Sequence, residues 1–324
     1  MVIDLSARKG LPSHPEWYPG AQVVKERPGA ADISAFLDGL DVVLCCETPM
    51  SYELFSMARQ CGIRTIMQLN FEFLDYWQNP HLPKPTVFAA ASPWNVHRMS
   101  GRVGEALFPV VWDLPVPVDP ESIPQRVITE AKTFLHIGGR PAAHDRNGTL
   151  DFLALAASCA DLGASWVVTC QSPTDDIRRA LRDAHRAGAQ VETIGDVPAA
   201  SGLYAQGDVM ILPRRFGGLC MPCLEALTAG MPVVMPAIDP NTTWLPKDWL
   251  VPASNAGTFR AKTSIDLYQV DMACLESLVR RLHATPALVA EWATTARQIA
   301  QQWTWDALLP RYQDVLNRVM ELKP

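Results

Sequence analysis

The chain has 324 residues, of which 48% are hydrophobic and 19% are charged. This length predicts about two domains, and the apolar content excludes a disordered protein. The net charge of −6 argues against a protein that lives on nucleic acid or on an anionic membrane. No apolar run approaches the ~20 residues of a membrane span. The eight cysteines lack disulfide spacing, so we expect reduced thiols and a cytoplasmic location.

The first third of the chain predicts alternating helices and buried strands. Residues 1–30 are rich in proline, glycine and charge, and we expect at most one short strand there. Apolar spacing then predicts helices at 32–40 and 51–61 and strands at 41–46, 64–69 and 86–91. Four prolines between residues 108 and 120 predict a stiff extended linker.

The same alternation restarts after the linker. Strands are predicted at 133–137, 165–170, 191–194, 208–212, 233–236 and 249–251, and helices at 149–160, 173–187, 199–206, 273–283, 286–302 and 303–320. Alternating strands and helices predict an α/β protein with parallel sheets in two doubly wound halves. In such sheets ligands bind at the carboxyl ends of the strands, so we expect the site in a crevice between the halves.

One stretch, residues 214–234, combines a strand end, a glycine pair, a short helix and a second buried strand. The pair Gly217-Gly218 precedes the helix, whose free N–H groups suit a phosphate or a sugar hydroxyl. Glu225 lies in that helix and fits a carboxylate that accepts hydrogen bonds from a ribose diol. The alternative is a solvated helix glutamate. Cys220 and Cys223 form a C-x-x-C without a second ligand pair, which favours plain packing residues.

A second loop is rich in arginine. Gly138-Gly139-Arg140 leaves one predicted strand, and Asp145-Arg146-Asn147-Gly148 opens the next helix. Two guanidinium groups and a helix N-terminus at one strand end predict a diphosphate site. The alternative is that both arginines are solvated surface charges. His144 lies in this loop and is a further candidate for phosphate contact, whereas His136 is expected to be a core histidine.

Polar residues also follow strands of the first half. Glu47, Asn70, Glu72 and Asp75 are candidate acceptor ligands or bases, and the alternative is that they are loop residues in water. The seven histidines form no ligand-spaced cluster, and no Asp-x-Asp or Walker A motif occurs. The sequence therefore predicts no metal site.

These residues carry a family resemblance. The segments Phe134-Leu-His-Ile-Gly-Gly-Arg140, Asp208-Val-Met-Ile-Leu-Pro213 and Glu225-Ala-Leu-Thr-Ala-Gly-Met-Pro-Val-Val234 resemble the donor domain of retaining GT-B glycosyltransferases of family 4. The tail Trp303-Thr-Trp-Asp306 resembles the last helix of that family, which crosses back to the first domain. The form Gly-Gly-Leu-Cys is similar to glycosyltransferases of bacteriophages and actinobacteria, and a phage-encoded protein would work in the host cytoplasm.

The resemblance implies a GT-B fold, with two Rossmann-like domains that face a central cleft and a reduced first domain. It implies an acceptor-side domain at 1–117, a donor domain at 118–302 and a crossing helix at 303–324. It also implies metal-independent transfer of a sugar, with retention, from a UDP, GDP or similar nucleotide-sugar donor to an acceptor hydroxyl. No cofactor is expected.

By resemblance, Arg140 and Arg146 hold the diphosphate, Glu225 binds the ribose, and Asp196 and Val197 lie near the base. The expected donor-binding residues are Gly138, Gly139, Arg140, Arg146, Asp196, Val197, Gly217, Gly218, Leu219, Cys220 and Glu225. The expected catalytic residues are Arg140, Arg146, Glu47 and Asn70.

The chain departs from the family at two of these positions. Gly217 stands where the family has a glutamate that contacts the donor sugar, and Asn70 stands where it has a histidine. These departures keep open the alternative of a non-catalytic nucleotide-sugar-binding module. A GT-B-fold nucleotide-sugar epimerase is a further alternative. The acceptor also stays open: a protein or small molecule is favoured over a DNA base because the first half is acidic.

Overall fold

The computed structural model describes residues 2–3, 20–21, 23–24, 26–47, 49, 51–105, 112–140, 143–197 and 202–324. The chain divides into two compact units. The first unit comprises Met1–Ala91, Val96–Leu114 and Arg311–Pro324, and the second comprises Ser92–Asn95 and Pro115–Pro310. The domain boundaries expected at 117/118 and 302/303 stay a prediction.

The first unit is built on a parallel sheet of four strands in the order β3-β4-β5-β6. The strands of the whole unit are β1 (Val2–Ile3), β2 (Val23–Val24), β3 (Val42–Cys46), β4 (Arg64–Leu69), β5 (Val87–Ala90) and β6 (Trp112–Asp113), of which β1 and β2 form a separate pair. Its helices are α1 (Ala30–Leu37), α2 (Glu53–Gln60), α3 (Leu74–Trp77) and α4 (Val96–Glu105). Strand β5 is buried along its whole length and β4 along nearly all of it. Such apolar strands occupy the centre of a parallel sheet because helices cover both faces.

The C-terminal helix α11 (Trp305–Met320) contributes its second half to the first unit. Val315 and Val319 pack into the same core as Ile66 and Val87. The Nε of Arg64 also donates to the carbonyl oxygen of Leu322 at 3.1 Å. The last turns of the chain therefore complete the hydrophobic core of the first unit.

The second unit is built on a parallel sheet of six strands in the order β12-β11-β10-β7-β8-β9. The strands of the whole unit are β7 (Thr133–Gly139), β8 (Ser165–Cys170), β9 (Gln190–Ile194), β10 (Val209–Ile211), β11 (Val233–Pro236), β12 (Leu250–Val251), β13 (Ala253–Arg260) and β14 (Ser264–Val270), of which β13 and β14 form a separate pair. Its helices are α5 (Thr149–Ser158), α6 (Asp175–Arg186), α7 (Met221–Thr228), α8 (Asn241–Trp244), α9 (Met272–Ala284) and α10 (Pro286–Ala300). Short 3-10 turns lie at Phe71–Phe73, Pro120–Ser122, Ala143–Asp145, Ala160–Leu162, Lys247–Trp249 and Gln301–Trp303.

The strand order of the second unit places a topological switch point between β7 and β10. The chain runs outward from β7 through β8 to β9, returns to pair β10 with the other side of β7, and continues outward to β12. Open parallel sheets bind ligands at such a point, at the carboxyl ends of the two diverging strands. Here those ends lead into the Arg140 turn and into the Arg214–Gly218 segment.

Most predicted elements are confirmed, and the strands at 64–69, 165–170 and 233–236 have the predicted bounds. Thr304 caps α11, since its hydroxyl accepts from the backbone N–H of Ala307 at 3.3 Å. None of the helices in the described ranges is both long and apolar enough to cross a membrane.

Four expectations need correction. Two short strands, β1 and β2, pair near the N-terminus where at most one was expected. Part of the expected linker is strand β6, because Trp112 pairs with Ala89 at the edge of the sheet. In the expected helix at 199–206, residue 202 is 3-10 helical and residues 203–206 form a turn, while residues 199–201 lie outside the described ranges. The antiparallel hairpin of β13 and β14 was not predicted at all.

Candidate functional site

The turn after β7 is shaped by close packing. A Cβ on Gly138 would lie 2.8 Å from the backbone oxygen of Thr169, and Gly139 has a left-handed φ of 62°. Only glycine fits the first position without moving β8, and glycine adopts the second conformation at the lowest cost. The two glycines therefore turn the chain sharply, so that Arg140 follows directly at the end of the strand.

Arg140 is exposed and begins a chain of polar contacts across three strand ends. Its Nε donates to Oε1 of Gln171 at 3.0 Å, and Nε2 of Gln171 donates to Oδ1 of Asp196 at 2.6 Å. The structure thus brings together two residues of the expected donor site, Arg140 and Asp196, through Gln171; Val197 follows Asp196 in the chain. Sequence reasoning missed Gln171, although a polar residue directly after a buried strand was the available signal.

The loop that carries Arg146 is locked onto the end of β7. The side-chain amide of Asn147 donates to the carbonyl oxygens of Ile137 and Gly138, both at 3.1 Å. A Cβ on Gly148 would lie 2.1 Å from the backbone oxygen of Pro213, so this loop also touches the chain that leaves β10. These contacts bring together the segments that follow β7 and β10 and fix the position of the Arg146 backbone.

The first N–H groups of α5 are already hydrogen-bonded by a side chain, contrary to expectation. The carboxylate of Asp145 accepts from the backbone N–H of Thr149 at 3.0 Å and of Leu150 at 2.9 Å. A helix N-terminus attracts negative charge, and here a residue of the chain itself supplies it. The expectation that this helix start joins the two arginines in holding a phosphate is therefore wrong for these two N–H groups.

The turn at Gly217 and Gly218 receives the side chain of Arg146. Its Nη2 donates to the carbonyl oxygen of Gly217 at 3.2 Å, and its guanidinium carbon lies 4.9 Å from the ring centre of Phe216. A Cβ on Gly218 would lie 2.3 Å from that Nη2, and the φ of Gly218 is 135°. Glycine is required here both by conformation and by the approach of a guanidinium group.

Gly217 is crowded on its other side. A Cβ at this position would lie 2.3 Å from Nε1 of Trp94 and 2.6 Å from the backbone oxygen of Asp239. The backbone N–H of Asn95 donates to Oδ2 of Asp239 at 2.6 Å, which holds this segment in the second unit. The indole of Trp94 therefore occupies the space into which a glutamate side chain at position 217 would start.

Helix α7 follows the turn directly. Cys220 precedes it in a left-handed conformation with a φ of 52°, and no side chain caps the helix start. Leu219 is half-buried and Cys220 is buried. The thiols of Cys220 and Cys223 are free. Unlike at α5, no side chain among the described residues caps the first N–H groups of this helix.

Glu225 projects from α7 and is held by a tyrosine. The buried Tyr204 donates its phenol O–H to Oε2 of Glu225. Burial raises the pKa of Glu225, and the hydrogen bond from Tyr204 offsets part of that rise. In the part of the chain that the structure describes, Tyr204 is the one side chain that hydrogen-bonds Glu225. The second carboxylate oxygen is thus available as an acceptor.

The two histidines near this site, His136 and His144, differ in burial and in their contacts. His136 is fully buried, and its ring nitrogens lie 2.9 Å from the oxygen of Ile211 and 3.0 Å from the hydroxyl of Thr149. Burial lowers its pKa to about 4, so the ring is neutral at pH 7. The expected core role of His136 is confirmed. His144 is exposed, and its ring packs 4.4 Å from that of Phe259.

The hairpin of β13 and β14 adjoins this loop cluster. Phe259 contacts Phe216, with ring centres 5.1 Å apart, and Tyr268 donates its N–H to the oxygen of Arg215 at 2.8 Å. The alternation of the buried Ile265 and Leu267 with half-buried neighbours in β14 was the signal that could have revealed the hairpin.

In the first unit, the expected acceptor-side residues also come together. The amide nitrogen of Asn70 donates to Oε1 of Glu47 and to Oε1 of Glu72, both at 3.1 Å. Asn70 is buried, and Glu47 adopts a left-handed φ of 63° at the end of β3. Asp75 lies one turn further on, in α3. One amide thus bridges two carboxylates at adjacent strand ends.

No three His, Cys, Asp or Glu side chains of the described residues are grouped closely enough to hold a metal ion. The described part of the site therefore consists of guanidinium groups, glycine backbone and single carboxylates.

Comparisons with known proteins show what this chain is similar to. Residues 131–265 match the profile of the family "Glycosyl transferases group 1". A comparison with curated protein sequences gives no significant match. The matched segment includes the arginine loop, the switch point and the Gly217-Gly218 turn.

Several solved structures have a similar fold. Sucrose-phosphate synthase from Thermosynechococcus elongatus is 15% identical with a TM-score of 0.65, over 89% of this chain and 76% of the other. Anabaena HepE, solved with UDP and glucose, is 10% identical with a TM-score of 0.63, over 91% and 85%. Pneumococcal O-GlcNAc transferase GtfA, solved with UDP and GlcNAc, is 12% identical with a TM-score of 0.58, over 90% and 60%.

The fold is therefore GT-B, as expected, with two Rossmann-like units. The match to the glycosyl transferases group 1 profile lies within the second unit. The chain spans only about three fifths of the length of GtfA.

Proposed function

We propose that this protein transfers a sugar from a nucleotide-diphosphate sugar to an acceptor hydroxyl, with retention at the anomeric carbon and without a metal ion. One observation carries the proposal: at the switch point of the six-stranded sheet, Arg146 reaches the backbone of a Gly-Gly turn, within the segment that matches group 1 glycosyl transferases. Guanidinium groups at strand ends suit a diphosphate because each charge-assisted contact is strong and directional.

The donor residues divide the nucleotide sugar among them. Arg140 and Arg146 bind the diphosphate, and the free oxygen of Glu225 accepts from the ribose diol. Asp196 and Val197 lie near the base, and the backbone from Gly217 to Cys220 contacts the sugar and phosphate. Two of the structural neighbours were solved with UDP and a sugar, which supports a nucleotide-sugar donor of the UDP or GDP type.

The reaction breaks the bond between the anomeric carbon and the diphosphate and forms a bond from that carbon to the acceptor oxygen. Negative charge develops on the leaving diphosphate, and preformed cations there lower the barrier. The leaving phosphate oxygen takes the proton of the acceptor hydroxyl, so no strong base is needed. Glu47 and Asn70 position the acceptor. A cytoplasmic location and a protein or small-molecule acceptor stay predictions, as does the narrower likeness to phage and actinobacterial enzymes.

The proposal is tested with purified protein and a panel of nucleotide sugars. We expect one donor to be consumed and, once an acceptor is found, NMR of the product to show the donor's anomeric configuration. A folded protein that is stabilised by a nucleotide diphosphate but consumes no donor with any acceptor would instead support the non-catalytic binding module, an alternative that Gly217 and Asn70 keep open. Conversion of the donor to its epimer would support the epimerase.

A further inference from the structure

A third arginine lies behind the Gly217-Gly218 turn and was not among the expected donor residues. Arg214 follows β10 at the switch point and is only 6% exposed. Its Nη2 donates to the carbonyl oxygen of Gly217 at 3.3 Å, and the same oxygen accepts from Nη2 of Arg146 at 3.2 Å. Two guanidinium groups thus converge on one neutral carbonyl oxygen.

The charge of Arg214 is not balanced by any carboxylate that the structure describes. Among the residues that the structure describes, no carboxylate lies within ion-pair distance of its guanidinium group, and its buried Nε has no hydrogen-bond acceptor. The nearby thiol of Cys223 does not supply a negative charge, because burial raises its pKa well above the usual value and keeps it protonated. A buried cation without a counter-charge is costly, so an anion that supplies one binds favourably.

The glycine pair keeps this place open to an anion. A Cβ on Gly218 would lie 2.3 Å from Nη2 of Arg146 and 3.4 Å from Nη2 of Arg214. The backbone oxygen of Gly217 already accepts from both cations, as an anionic oxygen would, but it carries no net charge. A side chain at position 217 would start towards Trp94 and Asp239 rather than towards the arginines, so the charge of Arg214 is left for a ligand.

We infer that Arg214 and Arg146 form an anion subsite for a charged oxygen of the donor, which is either a phosphate oxygen or the carboxylate of an acidic sugar. This inference rests on the proposed function and adds to it a binding residue and a charge preference. Arg214 contributes a fixed, buried charge, whereas Arg140 is exposed at the rim. The phosphate oxygen and the sugar carboxylate would both be bound through an anionic oxygen, and the experiment below distinguishes them.

The test uses calorimetric titration of wild type and two variants, Arg214→Gln and Arg214→Lys, with Arg186→Gln as a control. Arg186 is an exposed helix arginine whose guanidinium pairs with Asp183 at 2.7 Å, away from the strand ends. The ligands are uridine, UDP, UDP-glucose, UDP-glucuronate, their guanosine counterparts (guanosine, GDP, GDP-mannose) and inorganic pyrophosphate. Thermal unfolding confirms that each variant is folded, and the lysine variant carries the test if the glutamine variant is not.

We expect Arg214→Gln to weaken binding of the nucleotide diphosphate by about 10- to 100-fold and binding of the nucleoside by less than twofold. If the sugar carboxylate is the source, wild type prefers UDP-glucuronate over UDP-glucose, and Arg214→Gln removes that preference while binding of UDP is unchanged. Arg214→Lys is expected to keep part of the affinity, since it keeps the charge but loses the fork of donors.

Three results would overturn the inference: equal losses for nucleoside, diphosphate and both sugars, no loss at all, or a loss of stability alone. The failure of the proposed function looks different. If nucleotides do not bind to wild type but pyrophosphate does, and Arg214→Gln abolishes that binding, the anion subsite stands and the nucleotide-sugar donor does not. If neither binds, both are wrong.

Discussion

The two units present opposite chemistry at the carboxyl ends of their strands. In the second unit, Arg146 and Arg214 donate to backbone oxygen, and Arg140 donates to a side-chain amide. In the first unit, Asn70 bridges the carboxylates of Glu47 and Glu72. Two sheets of the same parallel type therefore carry cations in one case and hydrogen-bond acceptors in the other. The difference matches the proposed roles, in which Arg140 and Arg146 bind the diphosphate and Glu47 and Asn70 position the acceptor.

The largest expected effect comes from the cationic side. Arg140→Ala should lower kcat/KM by about 100- to 1,000-fold, because it removes a donor aimed at the charge that develops on the leaving diphosphate. Steady-state kinetics with the donor identified in the panel measures this loss. Arg178→Ala, which alters an exposed helix arginine paired with Asp175, is the matched control and should remain within twofold of wild type. Equal activity of Arg140→Ala and wild type would contradict the role given to the cationic strand ends of the second unit.

A second prediction concerns the buried histidine of the second unit. The pKa of His136 is lowered from 6.5 to about 4 in the folded state, so only the unfolded state binds a proton between these values. Stability should therefore fall as pH drops from 6.5 towards 4, by up to about 3 kcal/mol, and this loss should level off below pH 4. Denaturant unfolding from pH 7 to 4 measures it. In His136→Gln the part of the slope due to this residue should vanish; an unchanged slope would contradict the assignment.

The third prediction tests the packing that fixes the glycine turn. Gly217→Ala should destabilise the protein by about 2 kcal/mol, because its Cβ would meet Trp94 and the rigid backbone of Asp239. Thermal unfolding should show a drop of roughly 4–8 °C for a unit of this size. Gly195→Ala is the control for stability, since nothing lies within 4 Å of its added Cβ. A fully stable Gly217→Ala would mean that Trp94 does not fill this space.

The fourth prediction addresses the first unit. Asn70→Ala removes the amide that separates two carboxylates, so we expect transfer to fall about 10-fold while the dissociation constant of the nucleotide diphosphate changes less than twofold. Kinetics and calorimetry on the same samples measure the two quantities. Asn79→Ala, at an exposed turn, should change neither. If Asn70→Ala weakens nucleotide binding as strongly as transfer, the two units do not divide the work as proposed.

The smallest effect is expected at Tyr204. Tyr204→Phe removes the hydrogen bond that lowers the pKa of Glu225, so burial then raises that pKa further. Nucleotide binding should weaken only a few-fold at pH 8 and progressively more as pH falls towards the usual glutamate value of 4.5, because a protonated Glu225 is a poorer acceptor. Calorimetry across pH measures the profile. In Glu225→Gln the affinity should be low at every pH, and a parallel pH profile in that variant would contradict the role of Glu225.

The sequence predicts the fold well because buried parallel strands have a strong local signature. The apolar runs of β4 and β8 are followed directly by the polar residues Asn70 and Gln171, so their ends could be placed from the sequence. Strands β6 and β13 were not predicted because they lack such a local signature. Strand β6 has two residues, and β13 is mostly exposed, so neither has a core-facing pattern of useful length.

The site was predictable only in part. Arg140, Arg146 and Glu225 follow from their places at strand and helix ends, and the structure gives each the surroundings described above. Gln171 and Arg214 could not be ranked from the sequence, because their significance depends on contacts with residues 25 and 3 positions away and on burial. The role of Asp145 as a cap on α5 was likewise hidden, since a carboxylate in a loop does not reveal which N–H groups it contacts.

The most direct test of the central claim is the rate at which purified protein releases nucleotide diphosphate from a panel of UDP, GDP and related sugars, with Arg140→Ala measured in parallel. We predict release from one class of donor, faster when an acceptor is present, and a loss of about 100-fold or more in the variant. A folded wild-type protein that releases no nucleotide diphosphate from any donor, or a variant that is as active as wild type, would contradict the account.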